Sequence, residues 1–365
     1  TELNKMNLFV NRLMMLLDPI MTLVMNFSSV AIVWFGAHLI SSGNLQIGNM
    51  MAFLEYAMQV IISFLLLSMV FIMVPRAAVS VKRVGEVLDT LPSIVDPQSP
   101  QQLPHDATGK IEFKDVTFTY PDADLPVLSS INFAAEPGQT TAFIGSTGSG
   151  KSTLINLIPR FYDVSAGQIL LDGVDIRQLK LEELYDQIGY VPQKGVLFSG
   201  TIASNIKYGN AKASQKLVEK SAKIAQAAEF VSELKNGYKN EIAQGGSNVS
   251  GGQRQRLSIA RAIAVEPNVY IFDDSFSALD FKTDAKLRLA LAKETKHKTV
   301  LIVGQRINTI MNADKIIVLD EGKIVGQGTH QELMKNCEVY QEIAASQLSE
   351  DDLQKMSATI AKGAA

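Results

Sequence analysis

The sequence predicts two transmembrane α-helices followed by an α/β domain that carries a phosphate-binding loop. Three observations lead to this fold class. A long apolar region, from Leu13 to Pro75, contains no Lys or Arg. The rest of the chain alternates strand-like apolar runs with helical stretches, as a mostly parallel sheet with crossover helices does. One of these runs leads into GSTGSGKS, Gly145 to Ser152, and a helix-like stretch follows.

The membrane segment reads as a helical hairpin. Two apolar stretches, at about 13–40 and 48–74, each exceed the ~20 residues that a helix needs to cross the hydrocarbon core. Lys and Arg lie before the first stretch and after the second, but not in the loop between them, which predicts that both ends are cytoplasmic. A signal peptide is the weaker interpretation, because its apolar region spans only ~7–15 residues. We expect a multi-pass protein of the cell membrane with a cytoplasmic α/β domain.

Composition divides the chain into four segments. Residues 1–89 hold the two membrane helices and a cytoplasmic continuation of the second. Residues 90–109, rich in Pro and polar residues, predict a linker. Residues 110–347 form the α/β domain, and residues 348–365 are a polar tail without a recognisable motif.

Charge and composition exclude some classes of partner. A formal net charge of −3 offers no basic surface, so we expect no nucleic-acid partner. The single cysteine, Cys337, excludes an internal disulfide. Ten of the thirteen Met residues precede Pro75, and flexible thioethers can line a surface that accepts apolar ligands, although ordinary packing and lipid contact are the commoner roles.

Each residue type of the phosphate-binding loop has a chemical reason. Glycines let backbone N–H groups wrap a phosphate, Lys151 brings positive charge, and Ser152 offers a hydroxyl to Mg²⁺ at a helix N-terminus. The apolar run before Asp273 supplies the second Mg²⁺ ligand, and Asp274 is then placed to orient or deprotonate the attacking water. ATP and Mg²⁺ are the expected ligands, whereas an ordinary glycine-rich turn is the alternative.

A third motif lies between the loop and these two carboxylates. The segment NVSGGQRQRLSIARAIA, Asn248 to Ala264, predicts a helix that starts after Ser250 and ends before Pro267. With the motifs in this order, the chain resembles the ATP-binding-cassette (ABC) family over nearly its whole length. GSTGSGKST resembles the Walker A loop, VSGGQ the family signature, VYIFD the Walker B strand and SALD the D-loop.

The resemblance assigns roles to single residues. It implies that Tyr120 stacks on adenine and that Gln193 senses Mg²⁺ and the membrane domain. The expected ATP-binding residues are Tyr120, Gly145, Ser146, Thr147, Gly148, Ser149, Gly150, Lys151, Ser152, Thr153 and Gln193. The expected Mg²⁺ ligands are Ser152, Gln193 and Asp273. The expected catalytic residues are Lys151, Asp274 and Gln305. The signature residues expected to contact a partner's ATP are Ser250, Gly251, Gly252 and Gln253.

The hairpin resembles the fifth and sixth transmembrane helices of an ABC exporter half-transporter. The chain opens at Thr1 within a helix-like run, so we expect the carboxyl-terminal part of a longer protein. The resemblance implies a head-to-tail pair of cassettes, in which each ATP lies between the Walker motifs of one and the signature of the other. It also implies a lipid bilayer and a hydrophobic transported substrate.

Two positions depart from the family pattern. Asp274 is one methylene shorter than the usual Glu, and a base must come within ~2.6–3.2 Å of the water that it activates. Gln305 aligns with the family's His and cannot carry a positive charge. The signature is intact. This asymmetry resembles the degenerate subunit of heterodimeric ABC multidrug exporters, with a slow ATP site of its own and a signature that completes a fast site on the partner.

Three alternatives stay open. The chain could form a homodimeric exporter in which Asp274 is an adequate base at two active sites. It could be a non-transport ABC ATPase of the DNA-repair or translation type, but such proteins need a long coiled coil or a second cassette. It could also be a membrane-tethered ATP sensor without a transport role.

Overall fold

The computed structural model describes residues 2–347, so Thr1 and the predicted tail at 348–365 lie outside the described residues. The chain forms two compact units that divide between Pro92 and Ser93. The first is helical, and the second holds three sheets with surrounding helices. The predicted order, membrane helices followed by an α/β domain, is confirmed.

Two long helices make up the first unit: α1, Glu2–Ser41, and α2, Ile47–Leu88. Each is long and apolar enough to cross a membrane, and their most apolar windows are only 6% and 0% buried within the unit. The helices approach closely at Gly36, where a Cβ would lie 2.7 Å from Met50 Sδ. The apolar surface of this hairpin is therefore suited to a lipid environment or to further helices.

The second unit contains twelve strands in its described part. They are β1 Ile111–Phe118, β2 Leu128–Ala135, β3 Thr140–Gly145, β4 Ala166–Leu171, β5 Val174–Asp175, β6 Ile188–Val191, β7 Gly200–Thr201, β8 Glu241–Ile242, β9 Val269–Asp273, β10 Thr299–Val303, β11 Lys315–Asp320 and β12 Lys323–Gly328. The strand-like runs IEFKDVTFTY, TTAFIG, QILLDG, VYIFDD, TVLIVG and KIIVLD correspond to the strands β1, β3, β4, β9, β10 and β11, in that order.

These strands form two main sheets instead of the single mostly parallel sheet that the sequence pattern predicts. A six-stranded sheet has the order β12-β11-β3-β10-β9-β6, and only the pairing of β12 is antiparallel. A second sheet, β2-β1-β4-β5, is antiparallel, and β7 pairs with β8. The difference follows from burial. β9 and β10 are buried at every residue, as inner parallel strands are, whereas β1 alternates buried and accessible residues.

Ten α-helices accompany the sheets in the described part of the second unit, residues 93–347. They are α3 Lys151–Leu157, α4 Leu181–Asp186, α5 Ile202–Ile206, α6 Gln215–Ile224, α7 Ala228–Glu233, α8 Gly251–Ala264, α9 Phe281–Glu294, α10 Ile307–Ile310, α11 His330–Asn336 and α12 Glu338–Gln347. The main core fills the space between the antiparallel sheet, the parallel sheet and α3. A second core joins α5 to α9 with β6 and β9, and a third joins α10, α11 and α12 to β3 and β11.

The order of the parallel strands decides which loops meet. The carboxyl ends of β3, β10, β9 and β6 lie side by side at one edge of the sheet. These ends lead into the phosphate-binding loop, Gln305, the Asp273–Asp274 pair and Gln193, in that spatial order. Ligands of open α/β sheets bind at this edge, so four separate stretches of sequence supply one site.

The segment predicted as a linker is hydrogen-bonded to the second unit over part of its length. The backbone N–H of Leu181, the first residue of α4, donates to Asp96 Oδ1 at 2.8 Å. The carboxylate of Asp172 accepts three successive backbone N–H groups, those of residues 108–110, at 3.2, 2.9 and 3.1 Å. Part of residues 93–109 is thus held in place by hydrogen bonds to residues far along the chain.

Candidate functional site

The phosphate-binding loop connects β3 to α3 and needs glycine at two points for different reasons. A Cβ at Gly145 would overlap the carbonyl oxygen of Leu319 on the neighbouring strand. Gly150 caps α3 with φ of 95°, a left-handed conformation that L-residues rarely adopt. Close approach constrains one end of the loop and backbone conformation constrains the other. Between them, the N–H of Ser149 donates to the carbonyl oxygen of Ser146 at 3.2 Å.

The amino group of Lys151 lies inside this loop. Its Nζ donates to the carbonyl oxygens of Gly145 and Ser146, at 3.0 and 2.6 Å, and to Ser149 Oγ at 3.2 Å. Burial lowers the pKa of Lys151, while the charges of Asp273 and Asp274 act in the opposite direction. The ammonium is thus held by the loop at the place where the sequence predicts terminal phosphates.

Two of the predicted metal ligands are already adjacent. Ser152 Oγ, in the first turn of α3, donates to Asp273 Oδ1 at 3.2 Å. Asp273 is 6% exposed, and burial raises the pKa of its carboxyl, although the hydrogen bond from Ser152 acts to lower it. Residues 2–347 contain no cluster of three or more His, Cys, Asp or Glu side chains that could hold a metal. A hydroxyl and one carboxylate fit Mg²⁺, which takes its remaining oxygen ligands from phosphates and water.

The second carboxylate of the pair is bound by two amides. Asp274 Oδ2 accepts from Gln193 Nε2 at 3.2 Å and from Gln305 Nε2 at 3.0 Å. Asp274 has φ of 44°, which is uncommon for a residue with a side chain, and non-glycine residues in this region cluster at functional sites. Burial raises its pKa, and the hydrogen bond from Gln193 acts to lower it. The sequence places these three residues in the site but does not predict that they bind one another.

A cavity of about 550 Å³ joins these groups. Twelve of the residues that line it are ones that the sequence predicts for the site: Gly145, Ser146, Thr147, Gly148, Gly150, Lys151, Ser152, Thr153, Gln193, Asp273, Asp274 and Gln305. Ser149 is predicted for the site but lies beneath the loop, 2% exposed. Five further lining residues, which sequence reasoning missed, are Val127, Val303, Ile343, Ser346 and Gln347. The last three belong to α12, and no motif marks that helix.

The predicted adenine-stacking residue lies next to the cavity. Tyr120 follows β1, and its hydroxyl is 3.0 Å from Thr153 Oγ1 on α3. Its ring meets Phe118 and Tyr162 edge to face, with centroids 4.8 and 5.2 Å away. The three aromatic rings thus form a cluster beside the first turn of α3.

The signature residues lie at the start of α8, outside the lining of this cavity. Ser250 Oγ accepts the N–H of Gln253 at 3.2 Å, and Gln253 Oε1 accepts the N–H of Ser250 at 2.9 Å. This reciprocal pair is a capping box, so Gln253 stabilises the helix start. A Cβ at Gly251 would meet no described atom within 4 Å, so packing within the chain does not explain this glycine.

Two family models match the chain. The model described as the ABC transporter transmembrane region matches residues 1–82, and the model described as ABC transporter matches residues 128–277. The chain belongs to the ABC transporter family. Its nucleotide-binding unit is an ATPase domain of the ABC transporter type, and its apolar helices make it a membrane protein.

Relatives of this ABC transporter chain agree with the assignment. An uncharacterized ABC transporter ATP-binding protein of Mycobacterium tuberculosis is 47% identical over 335 residues, which cover 91% of this chain and 57% of that protein. An ATP-dependent lipid A-core flippase of Syntrophus aciditrophicus is 37% identical over 334 residues, which cover 92% of this chain and 55% of the flippase. The chain therefore spans somewhat more than half the length of these relatives.

A solved structure shares the fold of the ABC transporter chain. It is that of a bacterial Atm1-family ABC exporter with ATP bound, and the TM-score is 0.78 at 32% sequence identity. The match covers 90% of this chain and 57% of that exporter. Transmembrane helices followed by an ABC nucleotide-binding domain are thus common to both proteins.

Proposed function

We propose that this chain is part of an ATP-driven exporter subunit. Its own site binds Mg-ATP and turns it over slowly, and its signature completes a fast site on a different, partner subunit. The observation that carries the proposal is the state of Asp274, a short carboxylate in the cavity whose Oδ2 accepts two amide hydrogen bonds.

ATP binding rests on the loop and on the adjacent pair of ligands. Lys151 and the loop N–H groups receive the phosphates, and Tyr120 offers an aromatic face to the adenine. Ser152 and Asp273 would hold Mg²⁺ between them, with Gln193 beside it. When bound, Mg²⁺ neutralises negative charge on the terminal phosphates.

Slow hydrolysis follows from the geometry around Asp274. A water oxygen must bond to the terminal phosphorus while the bond to the bridging oxygen of ADP breaks, and the water proton passes to a base. Asp274 is the base in this chain, but its side chain is one methylene shorter than Glu, so its carboxylate stops short of the position that a Glu carboxylate would reach. A misplacement of about 1 Å can cost on the order of a hundredfold in rate.

The signature and the membrane helices suggest the partners. Ser250 and Gly251 are exposed and Gly252 is half-buried at a helix start that lies outside the chain's own cavity, which supports a role toward ATP held by another subunit. The apolar surfaces of α1 and α2 support a multi-pass location in the cell membrane, with the ABC domain in the cytoplasm. A hydrophobic drug or lipid is the proposed cargo, in keeping with the flippase among the relatives.

The test is the steady-state Mg-ATP turnover of the full-length protein in lipid, alone and with its candidate partner. The decisive variant combines Asp274→Glu with Gln305→His. The control is Asp186→Glu, which lengthens a side chain by the same methylene at an exposed position away from the cavity. We expect the wild-type chain alone to bind ATP but hydrolyse it slowly, the partner to restore turnover, and the double variant to be about a hundredfold faster alone. The Asp186→Glu chain should match the wild type.

A homodimeric exporter with two active sites is the second candidate, and one observation favours it. Burial raises the pKa of Asp274, which makes its carboxylate a better proton acceptor. Turnover by the wild-type chain alone at the rate of the double variant would establish this candidate and reject the heterodimer.

A further inference from the structure

The side-chain amide of Gln347, at the end of α12, makes two hydrogen bonds to one short loop. Its Nε2 donates to the carbonyl oxygen of Gln305 at 2.7 Å. Its Oε1 accepts the backbone N–H of Ile307 at 2.9 Å. One planar amide thus joins an acceptor and a donor that are two residues apart, on either side of Arg306.

The local structure explains why this loop takes a side chain from elsewhere. Ile307 begins α10, and the first N–H groups of a helix have no partner within it. Arg306, at the N-cap, makes no side-chain capping bond. Gln347 supplies the missing acceptor from a position 40 residues further along the chain.

The packing of α12 fixes the position of that amide. Tyr340 and Ala344 of α12 are fully buried in the core that also contains Ile307 and Ile310 of α10. The same core includes residues of β3, the strand that leads into the phosphate-binding loop. Helix α12 is therefore anchored to both sides of the cavity, and three of its residues line it.

We propose that Gln347 is a positioning residue for Gln305. By holding the backbone of Gln305, it sets the point from which the side chain reaches Asp274 Oδ2, 3.0 Å away. The inference rests on the proposed function, because it assigns Gln305 a part in hydrolysis. Gln347 hydrogen-bonds to the backbone of residue 305. Its effect on hydrolysis should therefore be seen only while the Gln305 side chain is present.

The experiment compares kcat and KM for ATP in the full-length protein in lipid, in an Asp274→Glu background where the chain's own site is active. Gln347→Leu removes the amide at nearly constant volume. Gln341→Leu is the matched control on the same helix, because Gln341 Nε2 donates to the carbonyl oxygen of Met334, away from the cavity. Each substitution is also made with Gln305→Ala.

We expect Gln347→Leu to lower kcat on the order of tenfold through misplacement of Gln305, with KM within about twofold of the parent. Gln341→Leu should change neither quantity. In the Gln305→Ala background the further loss from Gln347→Leu should fall below about twofold, because residues that act as a unit are not additive.

Several results would overturn the inference. An unchanged kcat in Gln347→Leu, an equal loss in Gln341→Leu, or a full tenfold loss on top of Gln305→Ala each excludes action through Gln305. The failure of the slow-site proposal is a separate result, in which the Asp274→Glu chain is no faster than the wild type. In that case, kcat and KM of the Gln347→Leu and Gln341→Leu variants would be compared in the wild-type chain.

Discussion

The phosphate-binding side of the cavity and its reaction side are held in place in different ways. On the binding side, the backbone of one stretch, Gly145–Thr153, shapes the site, and its glycines fit closely against β2 and β11. On the reaction side, Gln193, Asp274 and Gln305 come from three strand ends and meet through their side chains. Binding should therefore depend on local backbone geometry, whereas turnover should depend on side-chain lengths and on the elements that support them.

The largest effect should come from removing the charge on the binding side. Lys151→Met should weaken ATP binding about 30-fold or more, because truncating one member of a buried, hydrogen-bonded charge pair costs about 2–5 kcal/mol. Equilibrium binding of labelled ATP measures this, with Lys216→Met, an exposed lysine on α6, as the control. Near-normal affinity in Lys151→Met would show that loop N–H groups alone hold the phosphates.

A second prediction tests whether the loop depends on close packing. Gly148 and Gly150 both have positive φ, 86° and 95°, but only Gly150 has a close neighbour, with Leu128 Cδ2 2.7 Å from an added Cβ. Gly148→Ala should destabilise the protein by about 1–2 kcal/mol through the left-handed backbone alone. Gly150→Ala should cost more, because it adds this overlap. Thermal unfolding of the two variants compares them, and equal losses would contradict the packing argument.

A third prediction separates turnover from binding. Gln305→Ala should lower turnover at the chain's own site on the order of tenfold by removing a donor beside the reacting phosphate. Affinity for ATP should stay within about twofold, because the binding side is untouched. Single-turnover hydrolysis and ATP binding measure the two quantities. Parallel losses of affinity and turnover would remove the distinction between the two sides.

The smallest effect should arise in the helices that support the reaction side. His330 of α11 is buried, with Nδ1 2.7 Å from the hydroxyl of Tyr340 on α12, and burial lowers its pKa. The native state thus favours the neutral ring. This contribution to stability is complete above the unfolded pKa of about 6.5 and is lost as pH falls below it, by at most about 1.4 kcal/mol per pH unit.

The measurement is the change in unfolding temperature between pH 7.5 and pH 5.5 for the wild type and for His330→Gln. Carboxylates titrate in both proteins, so the difference between the two changes isolates His330. We expect the wild type to lose more stability than the variant on acidification. An equal loss in both would mean that His330 protonates without disturbing α11 and α12.

Sequence reasoning succeeds here where a contact is local. The loop at Gly145–Ser152 is set by its own spacing and by the strand and helix beside it. Twelve predicted residues line one cavity: eight from 145–153, then Gln193, the Asp273–Asp274 pair and Gln305. Sequence reasoning fails for the pairing of strands. β1 and β4 are predicted as strands, like β9, but the sequence does not show that their long-range pairing places them in a separate antiparallel sheet.

The role of α12 is the clearest case of a contact that the sequence does not reveal. Gln347 is an ordinary polar residue at the end of a short helix, and nothing near it marks a functional site. Its importance comes from packing that brings residues 305 and 347 together. Likewise, the motifs identify Asp274, Gln193 and Gln305 as members of one site, but the convergence of both amides on one oxygen depends on side-chain conformation.

The hydrogen bonds made by Asp96 and Asp172 have a practical consequence for dissecting the protein. A fragment starting at Lys110 would match the predicted α/β domain, but it would lose the acceptor for the first N–H of α4 and two of the three backbone donors to Asp172. A fragment starting at Ser93 keeps all of them. The fragment that starts at Ser93 should therefore be the more protease-resistant of the two, although the segment that it retains, residues 93–109, has the composition of a flexible linker.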